Sequence, residues 1–273
     1  MNYKLICIDM DGTLLNDKKE VSLLNKEAIK KAHNKGVHIA VCTGRLFTSA
    51  RYYANLLGVA APIISSNGAF IREQGSNEVI YNVPLGLENC KEIEKISSKY
   101  IVNKYYNEPD TIVSAKGFSD DYLYVTQNKM LPEEHRVNLI TANNMDGYIE
   151  ENSNKILKCI FIDKDYDKLN EIREQLLKIE NIEIVSSGRD NIEIMKKGVS
   201  KGQAVKKLTN YFNLKREEVI CIGDNENDIS MIEFAGLGIA MGNGEDKVKA
   251  LAGYVTDTNN NSGVAKAIEK FIL

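Results

Sequence analysis

No apolar run in this 273-residue sequence approaches the length needed to cross a bilayer; stretches such as "IFI" and "VICIG" end after a few residues. The N-terminus also lacks a basic segment followed by an apolar stretch and a cleavage site, so no secretion signal is expected. A large excess of either sign of charge is missing, with 35 Lys and Arg against 38 Asp and Glu. A formal net charge of −3 excludes a protein that coats nucleic acid by electrostatics. It leaves an anionic substrate open, because a local site can be positive on an acidic surface. The five cysteines, Cys7, Cys42, Cys90, Cys159 and Cys221, form no CxxC pair. Cys7, Cys42 and Cys221 sit in apolar, strand-like runs where a thiol packs as a small hydrophobe. These absences point to a reduced, cytoplasmic protein with no zinc site and no membrane or nucleic-acid partner. No GxGxxG opens behind the first strand, so Gly242 and Gly244 in "AMGNGED" read as a turn. Internal repeats are missing too, and "NNNS" at 259–262 reads as a surface loop.

What is present has the balance of a soluble globular protein, 43% hydrophobic and 27% charged, long enough for one large domain or two ordinary ones. The chain opens with "KLICI", a run that suits a strand buried on both faces. A helix with Leu24, Ala28 and Ala32 at helical spacing follows, then the strand "VHIAVC". Leu46, Ala50, Tyr53 and Leu57 form the next apolar stripe, and "APIISSNGA" gives a third strand and a turn. Strand and helix alternate again from Lys201 onward, through "EEVICIG", "LGIAM", "YVTD" and "GVAKAIEKFI". This alternation predicts an α/β fold with a doubly wound parallel sheet, Rossmann-like in its core. Between Pro84 and Gly188 the grammar changes. Strands such as "KILKCIFID" and "NIEIVSS" alternate apolar and polar residues, which suits an antiparallel sheet with one open face. Leu87, Cys90, Ile93 and Ile96 mark one accompanying helix; Leu169, Ile172, Leu176 and Ile179 mark another. The expected organisation is a core of residues 1–83 and 189–273 with an inserted α+β cap at 84–188. Tyr105, Tyr106, Tyr122 and Tyr124 in that insertion read as packing residues, and His33, His38 and His135 as structural or surface groups.

The chemistry lies at the strand ends, where open α/β sheets bind their ligands. Asp9 and Asp11 end the first strand, and alternation aims both to one side. Two carboxylates that close need a shared cation or proton. Thr43, Gly44 and Arg45 follow the second strand; Asp224, Asn225, Asn227 and Asp228 follow "VICIG"; Lys201 starts the helix leading into that strand. Such a set fits Mg²⁺ and a phosphate. Asp9, Asp224 and a backbone carbonyl near Asp11 supply hard oxygen ligands, while Thr43 and Lys201 meet phosphate oxygens. Arg45 reads equally well as a substrate contact or as the partner of an acid.

Four motifs in order, "DMDGTLL", "TGR", "KGVSKG" and "GDNENDISM", resemble those of the haloacid dehalogenase-like phosphohydrolases, specifically the Cof-type sugar-phosphatase branch. "SSNGA", Ser65 to Ala69, is similar to that branch's loop near the substrate. The resemblance covers essentially the whole chain. It implies a Mg²⁺-dependent phosphatase of small phosphorylated metabolites acting through an aspartyl-phosphate, with the cap selecting the leaving group. Asp9 then resembles the nucleophile and Asp11 the general acid and base. The resemblance makes Asp9, Asp11 and Asp224 the metal set, and Met10 (through its N–H), Thr43, Gly44, Lys201 and Asn227 the phosphate contacts. Asp228 and Arg45 would stand in support. An aspartate at Asp11 favours phosphoryl transfer over dehalogenation, because a leaving alkoxide needs a proton and a halide does not. A phosphomutase and a non-enzymatic phosphometabolite sensor are the rival readings; a monomer or weak homo-oligomer is expected.

Overall fold

A computed structural model of the protein describes residues 3–76, 78–117 and 128–273; Tyr122 and Tyr124 lie outside the described residues. The opening apolar run becomes β1 (Leu5–Asp9), buried at every position. It pairs in parallel with β2 (His38–Cys42) on one side and β12 (Val219–Gly223) on the other. From β2 the sheet continues through β3 (Ile63–Ser65), β4 (Phe70–Arg72) and β5 (Val79–Asn82). From β12 it continues through β13 (Leu237–Ala240) to β14 (Tyr254–Val255). The strand order therefore runs outward in both directions from β1. That makes the C-terminal end of β1 a topological switch point.

Alternation along β1 sends Ile6 and Ile8 to one face of this sheet and Leu5 and Cys7 to the other. The first face packs on α1 (Leu23–Asn34), α2 (Phe47–Asn55) and the C-terminal helix Gly263–Phe271. The second packs on the helix Lys201–Tyr211 and the short helix Ile229–Phe234. The α/β fold is the one expected, with one addition. β4 and β5 extend the sheet antiparallel beyond β3. They span three and four residues, too short for a periodic signal in the sequence.

The second sheet has the order β10 (Ile182–Val185), β11 (Asn191–Lys196), β9 (Lys158–Ile162), β6 (Asn103–Asn107), β7 (Thr111–Ser114) and β8 (Asn138–Thr141). All neighbours are antiparallel except β7 and β8. One face packs on helices Leu87–Ser97, Met145–Asn152 and Tyr166–Leu176 through Tyr106, Cys159, Phe161, Ile192 and Ile194. The other face is not open as the sequence suggested. Tyr105, Ile112 and Ile160 close over Leu46 of the first sheet's loop, so the two sheets share an apolar contact. The boundary expected at 188 also moves. β11 belongs to the second sheet, and the chain returns to the first only near Val199, because "NIEIMK" continues the same alternation past residue 188. Among the described residues, no helix is long and apolar enough to cross a membrane.

Asn25 fastens the start of the chain to its end. Fully buried, it donates to the Leu14 carbonyl (3.3 Å) and accepts from the Ala265 N–H (2.9 Å). Asn25→Ala leaves that N–H buried without its partner, and should cost about 1–3 kcal/mol, read as a lower urea midpoint at unchanged slope.

Candidate active site

Three strand ends meet at the switch point. β1 stops at Asp9 and the chain turns, the N–H groups of Leu14 and Leu15 bonding back to the carbonyls of Asp9 and Met10 at 3.2 and 2.9 Å. Gly12 permits the turn. Its φ is +84°, and a Cβ there would sit 2.4 Å from Oδ2 of Asp224. Asp224 follows β12, and its Oδ1 accepts a 2.6 Å bond from the Thr13 hydroxyl. Met10 keeps its side chain in the core, leaving its backbone at the site.

Lys201 opens its helix behind Ser200, whose hydroxyl caps the first turn by accepting from the Gln203 N–H. Its ammonium donates to Oδ1 of Asp9 and Oδ1 of Asp228, both at 2.6 Å. Asp228 in turn accepts from the N–H groups of Asp224 and Asn225 through Oδ2, at 2.9 and 3.0 Å. Carboxylate oxygens of Asp9, Asp224 and Asp228 lie within 4.8 Å of one another, Asp9 and Asp228 buried and Asp224 half-buried with its carboxylate turned inward. Three buried carboxylates against one ammonium leave uncompensated negative charge, which is costly. A hard divalent cation on carboxylate oxygens removes that cost, and the donors present fit it. Both oxygens of Asp228 are already engaged, so Asp9 and Asp224 are the side chains suited to hold the ion.

The same imbalance appears in the acidities. Burial and then the nearby Asp228 push the Asp9 carboxyl well above the usual range, against the pull of Lys201. Burial, again followed by Asp228, lifts Asp224 to about 7, although the Thr13 hydrogen bond opposes it.

Asp11 behaves differently. β1 ends at Asp9, so Asp11 stands in the turn behind the strand, where two cations meet it. Its Oδ2 accepts from Arg45 Nε (2.6 Å), and its Oδ1 from Arg45 Nη2 and Lys19 Nζ, each at 2.8 Å. Burial raises its pKa, but the two cations outweigh that and hold it well below the carboxylate range. The side chain is still 39% exposed, so water weakens the pull. The carboxylate grouping is thus Asp9, Asp224 and Asp228, with the Asp11 carboxylate turned to Arg45. Of the two readings for Arg45, the geometry places it on an acid.

Thr43 and Gly44 form the second wall. Ser66 and Asn67 donate their N–H groups to the carbonyls of Arg45 (2.9 Å) and Thr43 (3.1 Å), which zips two loops together. Ser66, Asn67 and Gly68 all have positive φ, 49°, 55° and 99°. A Cβ on Gly68 would strike the Ser200 carbonyl at 2.3 Å, so this strained turn is pressed against the start of the Lys201 helix. The Asn227 amide reaches the same turn, donating to Asn67 Oδ1 at 3.1 Å. Two side chains here escaped the sequence reading. Lys158 and Glu193 come from the second sheet, and both touch these loops.

A family model for haloacid dehalogenase-like hydrolases matches residues 6–268. The chain belongs to that family. It is 35% identical, over its whole length and 97% of the relative, to the 5-amino-6-(5-phospho-D-ribitylamino)uracil phosphatase YcsE of Bacillus subtilis. Among solved structures, a haloacid dehalogenase-like hydrolase from Bacteroides thetaiotaomicron superposes with a TM-score of 0.82 at 30% identity, covering 98% of this chain and 99% of that one. The subclass IIB sugar phosphatase BT4131 gives 0.79 at 28% identity and 98% of either chain. The protein is a Cof-type phosphoric monoester hydrolase, and the four sequence motifs are the ones that converge at the switch point.

The raised Asp224 carboxyl has a measurable sign. The folded protein binds this proton more tightly than the unfolded chain, so without metal its stability falls as pH rises from about 4 to 7. A divalent cation competes with the proton and relieves the charge. Its stabilisation, read as a rise in melting temperature, should be larger at pH 8 than at pH 5. Gly12→Ala should weaken cation binding in calorimetric titration, because the new methyl group displaces Asp224.

Proposed function

We propose that the protein is a Mg²⁺-dependent phosphatase of small phosphomonoesters that works through an aspartyl-phosphate at Asp9. The observation that carries this is the Asp9 carboxylate held by Lys201 at 2.6 Å, with Asp224 and Asp228 gathered around it at the end of β1. Hard oxygen donors and no cysteine or histidine among them favour Mg²⁺, which when bound neutralises the carboxylates and the phosphoryl group.

In the first step an Asp9 oxygen attacks phosphorus. The Asp9–phosphorus bond forms, the bond to the ester oxygen breaks, and Asp11 gives that oxygen its proton. In the second, Asp11 takes a proton from water, the water oxygen attacks phosphorus, and the bond to Asp9 breaks. The two cations hold Asp11 ionised, so to carry a proton it must exchange Arg45 and Lys19 for the reacting oxygens, for which its partial exposure gives room; the proton it takes from water in one turnover is the one it gives in the next. Lys201 keeps Asp9 oriented and, with the Thr43 hydroxyl, the N–H groups of Met10 and Gly44 and the Asn227 amide, receives the phosphoryl oxygens. Asp228 fixes Lys201; Arg45 parks Asp11. Residues from about 84 to 198 act as the cap, seated by the Leu46 contact, and water is excluded while it is closed.

The substrate class follows from shared chemistry. YcsE is named for a phosphate on a ribityl chain, and BT4131 is titled a sugar phosphatase. We therefore assign phosphate esters of polyhydroxylated carbon chains. Five free, buried cysteines support a reducing, cytoplasmic setting.

Asp9→Asn should reduce turnover of p-nitrophenyl phosphate at least about 10³-fold in a protein that still melts cooperatively. Chelation with EDTA should abolish activity and added Mg²⁺ restore it. Asp11→Asn should lower kcat/KM, which reports transfer to Asp9, far more for a sugar phosphate than for p-nitrophenyl phosphate, whose leaving group needs no proton. Equal losses on both esters would remove Asp11 from the acid role.

A further inference from the structure

A second buried charge pair lies beside the catalytic cluster, and the other sheet delivers it. Lys158 on β9 and Glu193 on β11 are 0% and 1% exposed and bonded to each other. Strand alternation explains their direction. Cys159 and Ile194, their neighbours in sequence, pack on the cap helices, so Lys158 and Glu193 face the catalytic loops. Buried ion pairs are poor sources of stability, and apolar replacements are often neutral or better. What this pair touches is more informative.

Lys158 Nζ donates to the Gly44 carbonyl at 2.7 Å. That carbonyl shares a peptide with the Arg45 N–H, which donates to the Thr43 hydroxyl at 3.1 Å. Accepting there leaves the hydroxyl proton for an external oxygen. An ammonium on the carbonyl polarises the peptide and strengthens the next bond in the chain. Glu193 works on the other arm of the same loop. Its Oε2 accepts from Asn67 Nδ2 at 2.9 Å, and the Asn67 N–H holds the Thr43 carbonyl at 3.1 Å. Ser187 fixes the remaining Glu193 oxygen, donating to Oε1 at 2.5 Å.

We propose that Lys158 and Glu193 are positioning residues for phosphoryl transfer: carried by the cap, they orient the Thr43 hydroxyl toward phosphate through the Gly44 peptide and Asn67. The phosphate site is then complete only with the cap seated. This deepens the proposed function and rests on Thr43 as a phosphate contact.

The test is a cycle of Lys158→Met, Thr43→Val and the double variant. Each is followed by hydrolysis of p-nitrophenyl phosphate and glycerol phosphate, inhibition by inorganic phosphate, and thermal melting. Lys158→Met should weaken phosphate inhibition and lower kcat/KM about tenfold, by the same factor for both esters, since the shared phosphoryl group is what loses its contact. In the Thr43→Val background it should add little. A folded Lys158→Met with wild-type phosphate inhibition, or an effect that multiplies fully with Thr43→Val, overturns the inference alone. Wild-type inhibition in Thr43→Val overturns the reading of the phosphate site and the inference with it. Glu193→Gln keeps side-chain volume and carries the same expectations where Lys158→Met does not melt cooperatively.

Discussion

One ammonium group organises this molecule. Lys201, 1% exposed, is shared between a carboxylate from the first strand and one from the loop after β12, residues 192 and 27 positions away in sequence. Burial disfavours the Lys201 charge, yet Asp228 and Asp9 together hold it firmly protonated. Removing one member of such a set leaves a charge stranded, at a typical cost of about 3–5 kcal/mol. The arrangement therefore fixes how β1, β12 and the Lys201 helix sit against one another. It leaves negative charge over, and that surplus is what suits the site to a cation.

Close approach is the second constraint. Carboxylates within 4.8 Å of one another require backbone to pass where side chains would normally intervene. Gly12 lets the first loop lie against Asp224, and Gly68 lets the strained turn lie against Ser200. Both sit at positive φ, so the glycines serve conformation and space together. The positive φ of Ser66 and Asn67 is strain of about 1–3 kcal/mol each, held by bonds to Thr43 and Arg45. That strain aims the Asn67 side chain between Asn227 and Glu193.

Much of this could be read from the sequence because the decisive signals are local. A buried apolar run ending in Asp9, hydroxyl and glycine behind β2, and acids behind β12 define the site once the strands are taken as parallel. The pairing of Asp11 with Lys19 as well as Arg45 could not be read, since alternation holds only while the strand lasts and β1 ends at Asp9. β4 and β5 are too short to announce themselves. Lys158 and Glu193 look like the ordinary solvent-side charges of half-buried strands; only the seating of one sheet on the other's loops turns that side inward.

That seating has an uneven strength. Across the sheets, Arg173 pairs with Glu226 at 3.1 Å with both side chains 30% exposed, the Asn225 amide reaches the Ser187 carbonyl at 3.1 Å, and the Thr48 hydroxyl donates to Asp110. Exposed pairs of this kind contribute about 1 kcal/mol or less. The interior contacts, Leu46 in its apolar pocket and Lys158 on Gly44, sit against the loop that holds Thr43. A rim of exposed contacts adds little to the seating, and Asp9 lies beneath it at 5% exposure. The contacts between the two sheets are thus weakest at the solvent edge and buried where they meet the Thr43 loop.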